Sequence, residues 1–278
     1  MKRIFWPIFL VLIFCFPLSG AAGDFENLKS LYEPLPKMKH PTDNPWSQEV
    51  EKLGKALYFD PRLSGSNWIS CVTCHNPGLG WSDGLPRTIG DGQKELGRHS
   101  PSIINSGYFE ILMWDGRAKS LEEQALGPIA ATVEMNQNLD SLLKELKAVP
   151  GYVKLFKKAF GEPGITKSNI GKAIAMFERS VVSQNSPYDR YFQGDKSAMP
   201  KSALNGMNLF FGKAKCSICH NGPTFSDSGF HNIGVKQQGP LKEDLGRYNI
   251  TKEESDKGAF KTPGLRHISR MAPYMHDG

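Results

Sequence analysis

Apolar residues return at helical spacing in several separate stretches of the chain. In 47–59, Val50, Leu53, Ala56 and Leu57 share one face, Ser47 stands where an N-cap belongs, and Asp60-Pro61 closes the run. Ser120-Leu-Glu-Glu123 has the form of a capping box and predicts a short helix reaching Leu126. Amphipathic helices are predicted over 139–148, 152–160 and 166–183, the last with Ile170, Ala173, Ile174, Phe177 and Val181 on one face. A further helix over 202–211 follows. Residues 76–117 are rich in Gly, Pro, Asn and Asp and predict long loops, while 24–46 is Pro-rich and predicts a surface strap. Strand-like alternation is scarce, so the chain is predicted to be mostly α.

The N-terminus changes where this protein is expected to work. Lys2 and Arg3 precede an apolar run over 4–17, and then come the small residues Ser19-Gly20-Ala21-Ala22-Gly23. That is the form of a cleavable secretory signal over 1–23, with an uncleaved anchor as the alternative. A lipoprotein reading at Cys15 is disfavoured because bulky Phe14 precedes it. The formal charge of +6 loses two with Lys2 and Arg3, leaving about +4, too mild to indicate nucleic acid as a partner. The 278 residues leave room for two domains, and a hydrophobic fraction of 39% predicts a lean protein core.

Of five cysteines, Cys15 lies in the signal and the other four fall in Cys71-Val-Thr-Cys74-His75 and Cys216-Ser-Ile-Cys219-His220. Each segment is a CxxCH, the attachment pattern of c-type haem. Two thiols at this spacing form thioethers with the two vinyl groups of one porphyrin, and the adjacent His reaches the iron. A zinc site would need four ligands on one metal, whereas these pairs stand about 145 residues apart. Two covalent haems c are therefore expected, with Cys71, Cys74, Cys216 and Cys219 as attachment points and His75 and His220 as proximal ligands. No mature cysteine remains for a disulfide. Haem c is attached outside the cytoplasmic membrane, so the expected compartment is the bacterial periplasm. A helix precedes each CxxCH, a weak internal repeat. The predicted architecture is two cytochrome c-like domains, 24–184 and 185–278, one haem in each.

With these pieces placed, the chain from about Trp46 to its last residue resembles the bacterial dihaem cytochrome c peroxidases and their MauG-type relatives. The resemblance rests on 71–86 (CVTCHNPGLGWSDGLP), Met113-Trp-Asp-Gly-Arg-Ala118, Leu121-Glu-Glu-Gln-Ala-Leu-Gly-Pro128 and Val133-Glu-Met135. The second half adds Phe260-Lys-Thr-Pro-Gly-Leu-Arg266 and Pro273-Tyr-Met-His-Asp-Gly278. It implies reduction of hydrogen peroxide to water at the N-terminal haem. Electrons would come from a small cytochrome c or cupredoxin through the C-terminal haem. It equally allows peroxide-driven oxidation of a partner protein, as in MauG, and a homodimer. A plain dihaem electron carrier is the alternative outside enzymes. The resemblance assigns Glu134 as the acid/base carboxylate, with a pKa raised by desolvation. It places Gln124 near the same pocket and Trp114 between the haems as an electron relay.

Three departures from the family pattern matter. Asp91 stands where many members carry a distal His, which implies an N-terminal iron open on one side at rest, with His99 as the alternative ligand. His99 replaces an Asn that helps bind calcium, leaving the carbonyls of Met271 and Pro273 and putting calcium in doubt. Finally, the sequence stops at His276-Asp-Gly278, before the stretch in which the family places the distal ligand of the C-terminal haem. The second domain is therefore expected to be truncated. Met271 and Met275 are nearby thioethers but do not match the family's ligand.

Overall fold

Ser47 starts α1 (Gln48–Tyr58) by accepting the Val50 N–H on its hydroxyl, with Glu49 and Glu51 in the first turn and Lys55 in the last, each favourably placed against the helix dipole. The computed structural model describes residues 34–239 and 241–278; the signal reading of 1–23 and the first part of the predicted strap lie outside them. α1 buries Val50, Leu53, Leu57 and Tyr58 and leads, past a turn at Pro61–Leu63, to the one-turn α2 (Cys71–Cys74). A long loop with short turns follows, then α3 (Leu121–Ala130), α4 (Leu139–Lys147), α5 (Pro150–Phe160) and α6 (Lys167–Ser180).

α6 is the axis of the core. Ile170, Ala173, Ile174 and Met176 are almost fully buried against α1 and α3. The helices approach so closely that a Cβ on Gly54 would stand 1.8 Å from the Ala173 carbonyl oxygen. A Cβ on Gly171 would stand 2.6 Å from the carbonyl oxygen of Glu122. Glu122 also takes both arms of Arg179, at 2.6 and 3.0 Å, so α3 and α6 are joined by a forked ion pair beside the apolar contact.

The predicted helices are present, with two shifts that have physical causes. α3 runs beyond Leu126 to Ala130: Pro128 removes one donor, yet Ile129 is wholly buried and holds the last turn in the core. Glu123 does not complete a capping box, because its carboxylate takes the Lys119 N–H at 2.9 Å while Ser120 accepts from Glu123. α6 stops at Ser180 rather than 183 because the 103–106 loop captures the exit. The Asn105 N–H donates to the Val181 carbonyl at 2.9 Å, and the Ser183 N–H donates to Asn105 Oδ1 at 2.9 Å.

Beyond this point the chain forms α7 (Pro187–Phe192), which sequence periodicity did not predict, then α8 (Lys201–Phe211) and the one-turn α9 (Tyr248–Thr251). The regular strands among the described residues are β1 (Phe230–His231) and β2 (Phe260–Lys261), paired antiparallel with Phe230 opposite Lys261. The protein is mostly α, as predicted. The large apolar cluster draws on residues between 50 and 177, whereas α8 buries none of its residues completely. Polar ties join the two halves instead. Arg98 holds Asp244 through two bonds, at 2.6 and 2.8 Å, and Asp115 at 2.8 Å. Within the second half, Arg266 grips Asp189 at 2.9 Å with both arms.

Candidate functional site

Each CxxCH segment opens into a cavity. The N-terminal one, about 140 Å³, is lined by Cys71, Cys74 and His75 on one side and by Gln124 and Glu134 among others. The C-terminal one, about 560 Å³, is lined by Cys216, Cys219 and His220 and reaches Met271 and Met275. Trp114 lines both.

The donor set fits a haem at each position. His75 Nδ1 lies 3.3 Å from the Trp81 carbonyl, and His220 Nδ1 lies 3.0 Å from the Phe225 carbonyl. A carbonyl can only accept, so each ring carries its proton on Nδ1 and leaves the Nε2 lone pair for a metal. The four thiols are free of disulfides. Burial pushes the Cys71 thiol far up, and pushes Cys74 up to about 12. Such a pocket disfavours thiolates, which zinc would require, and suits the uncharged sulfur of a thioether.

Glu134 sits in a tight turn after α3, its N–H donating to the Ala131 carbonyl at 3.0 Å. Burial raises its carboxyl above the usual carboxylate range, against the opposing pull of Arg117. Asp91 lies behind it. The Asp91 N–H donates to the Glu134 carbonyl at 2.7 Å, while its carboxylate accepts from the Ser66 hydroxyl and from Asn136 Nδ2 at 3.3 Å. Asp91 thus ties the back of the Glu134 turn, and its side chain is not among those lining the cavity. His99 is held at both ring nitrogens, by the Leu85 carbonyl at 2.7 Å and by Ser82 Oγ at 3.3 Å. Those nitrogens offer no hard oxygen to calcium, although the nearby Asp83 carboxylate keeps one buried oxygen without a partner.

Gln124 donates from Nε2 to Met113 Sδ at 3.7 Å, and the indole N–H of Trp114 donates to the His99 carbonyl at 2.9 Å. Met113 holds a left-handed φ of 70°, a conformation uncommon for a side-chain-bearing residue, which aims Trp114 between the cavities. Of the predicted site residues, Cys71, Cys74, His75, Gln124, Glu134 and Trp114 come together at the first cavity, and Cys216, Cys219, His220 and Trp114 at the second.

Sequence reasoning missed Tyr58 and Glu178. Both line the first cavity, and both keep a buried oxygen without a hydrogen-bond partner. Burial, assisted slightly by Glu122, pushes the Glu178 carboxyl up to about 8 in spite of Arg179 beside it. A signal was available: Glu178 directly follows Phe177, on the helix whose apolar face also carries Ile170, Ala173 and Ile174. Lys261, on the wall of the second cavity, was missed as well.

Comparison with known proteins gives one consistent family. The di-haem cytochrome c peroxidase pattern matches residues 48–197. The chain is 46% identical over 261 residues to the methylamine utilization protein MauG of Methylorubrum extorquens, covering 94% of this chain and 73% of that protein. It is 36% identical over 276 residues to the cytochrome c551 peroxidase of Pseudomonas aeruginosa, covering 97% and 80%. Among solved structures, a MauG-like protein associated with microbial copper homeostasis superposes with a TM-score of 0.79 at 33% identity, covering 87% of this chain and 77% of that one.

Proposed function

Because this chain belongs to the dihaem cytochrome c peroxidase and MauG family, we propose that it is a periplasmic peroxidase that reduces hydrogen peroxide to water with electrons from a small cytochrome c or cupredoxin. The residues on either side of about 184 would each form a haem domain, with the haems covalent at Cys71/Cys74 and Cys216/Cys219. The haem iron would supply the open coordination position and the redox chemistry. The observation that carries the reading is Glu134, a carboxyl raised by burial in the same cavity as Cys71, Cys74 and His75.

The protein's own part is proton handling and positioning. The overall reaction takes two electrons and two protons per peroxide and releases two waters. Glu134 in its carboxylate form accepts the proton of the nearer peroxide oxygen and returns it to the farther one, so that water rather than hydroxide leaves. A raised pKa keeps that proton within reach of both oxygens. The Gln124 amide orients the substrate from beside the Met113 sulfur. Trp114, shared by the two cavities, offers its indole as the relay for electrons. Calcium has no part in this reading.

Peroxide-driven oxidation of a partner protein is the second reading, favoured by the 46% identity to a MauG protein. A steady-state assay with reduced small cytochrome c separates the two: rapid, peroxide-dependent oxidation of the cytochrome supports the peroxidase, and its absence in a fully haem-loaded protein supports the oxidase.

Two further results are expected. Denaturing electrophoresis with haem staining should show a band that survives acid–acetone extraction, and mass spectrometry should show two haems. Fewer than two on matured protein contradicts the attachment reading. In the resting ferric state the N-terminal haem should be high-spin, since Asp91 and His99 are both engaged elsewhere. Pre-reduction should then change the activity little. A large gain on pre-reduction, with loss of a low-spin EPR signal, would show that a side chain closes the site.

A further inference from the structure

The C-terminal cavity has a cation on its wall without an acid to match. Lys261, on β2, lines the cavity together with Cys216, Cys219 and His220. Its ammonium reaches the Thr262 carbonyl at 3.5 Å and lies 4.2 Å from the ring centroid of Phe109. It forms no ion pair with a carboxylate among the described residues. The nearby acids are committed elsewhere. Asp227 holds His231 Nε2 at 2.8 Å and the Gly229 N–H at 2.8 Å, and Asp189 takes both arms of Arg266. Burial lowers the ammonium to about 8, with Asp227 only partly offsetting it. A desolvated cation with one weak carbonyl contact is costly unless an anion joins it. The wall is therefore one negative charge short.

We propose that Lys261 anchors a carboxylate of the haem held by Cys216 and Cys219, and thereby sets the reduction potential of that haem. The inference rests on the c-type haem reading above. A porphyrin of this class carries two carboxylates on its edge, and Lys261 offers one of them a charge-assisted bond in a low-dielectric setting. The ammonium cancels negative charge that would otherwise stabilise ferric iron. Lys261→Met should therefore favour the oxidised haem and lower its potential.

The test uses the haem-loaded protein, with Lys261→Met and Lys261→Arg beside the wild type. A pyridine haemochrome assay counts haems, and spectroelectrochemical titration reads each potential separately. All three proteins should hold two haems, because the thioethers do not depend on Lys261. In the Met variant the oxidised-to-reduced ratio of the C-terminal haem should rise about tenfold at fixed ambient potential, or about 59 mV for one electron. The N-terminal haem should not move. The released carboxylate should titrate nearer neutrality, giving this potential a pH dependence that the wild type lacks. Arg should restore both values. Two haems with an unchanged C-terminal potential in the Met variant overturn the inference, whereas fewer than two haems in the wild type overturn the haem reading instead. Should the Met variant fail to fold, resonance Raman of the Arg variant decides. A shifted propionate bending mode at the C-terminal haem supports the contact, and an unshifted one refutes it.

Discussion

Glu134→Gln is expected to lower peroxide turnover by about 10²–10⁴-fold while leaving both haems in place, the range usual for a lost general acid–base group. Glutamine keeps the shape of the side chain, and the turn that carries it is held by backbone bonds from Glu134 to Ala131 and from Asp91 to Glu134. The loss should therefore appear in the chemical step, with the haem spectrum unchanged. A pH profile sharpens the test. Only the carboxylate form can accept the peroxide proton, so wild-type kcat/KM should fall as pH drops through the raised Glu134 pKa. The Gln variant, having nothing to titrate there, should lose that acid limb. Near-normal turnover in the variant would return Glu134 to an ordinary loop residue. Asp91 would be a poor substitute for the role, because its carboxylate is engaged by Ser66 and Asn136.

The helices and the two CxxCH segments were legible in the sequence because both are local. Ser47 and Ser120 cap the helices they were read to cap, and a CxxCH states its chemistry within five residues. The loops between were not legible. Nothing in 88–92 says that Asp91 turns its back on the cavity, because that orientation is set by Ser66 and Asn136, which are far away in sequence. Glu178 and Lys261 looked like ordinary charged residues; what marks them is a buried Glu178 oxygen without a hydrogen bond and a Lys261 ammonium without a carboxylate, and partners are a property of the fold. The end of α6 was overrun because apolar Val181 continues the helical stripe, while the capture of its carbonyl by Asn105 comes from a loop about 75 residues earlier.

Gly54→Ala is expected to destabilise the protein by about 2–3 kcal/mol, at the upper end of overpacking costs. The new methyl would fall 1.8 Å from the Ala173 carbonyl oxygen, with Phe177 Cβ at 3.0 Å. That oxygen belongs to helix backbone, so it cannot swing aside as a side chain would; α1 and α6 must move apart. Intrinsic propensity pulls the other way, since alanine is the better helix former by up to about 1 kcal/mol. The control is Gly151→Ala in the first turn of α5, where an added Cβ meets nothing within 4 Å. That change should be neutral or slightly stabilising. Urea unfolding followed by circular dichroism should show a lower midpoint for Gly54→Ala with an unchanged slope. Equal midpoints for the two variants would mean that the crossing of α1 and α6 has room for a methyl group at Gly54.

His99, Pro101, Met113 and Trp114 each face both cavities. This shared wall bears on how such a protein can diverge. The repeated helix-then-CxxCH pattern invites the picture of two interchangeable modules, each free to drift once duplicated. A wall with two occupants removes that freedom. Any replacement at these four positions is tried against both cofactors at once, so selection on one site constrains the other. A second half transplanted from a distant relative would arrive without its opposite wall. The stretch from His99 to Trp114 is thus where the two halves are obliged to evolve as a single lineage.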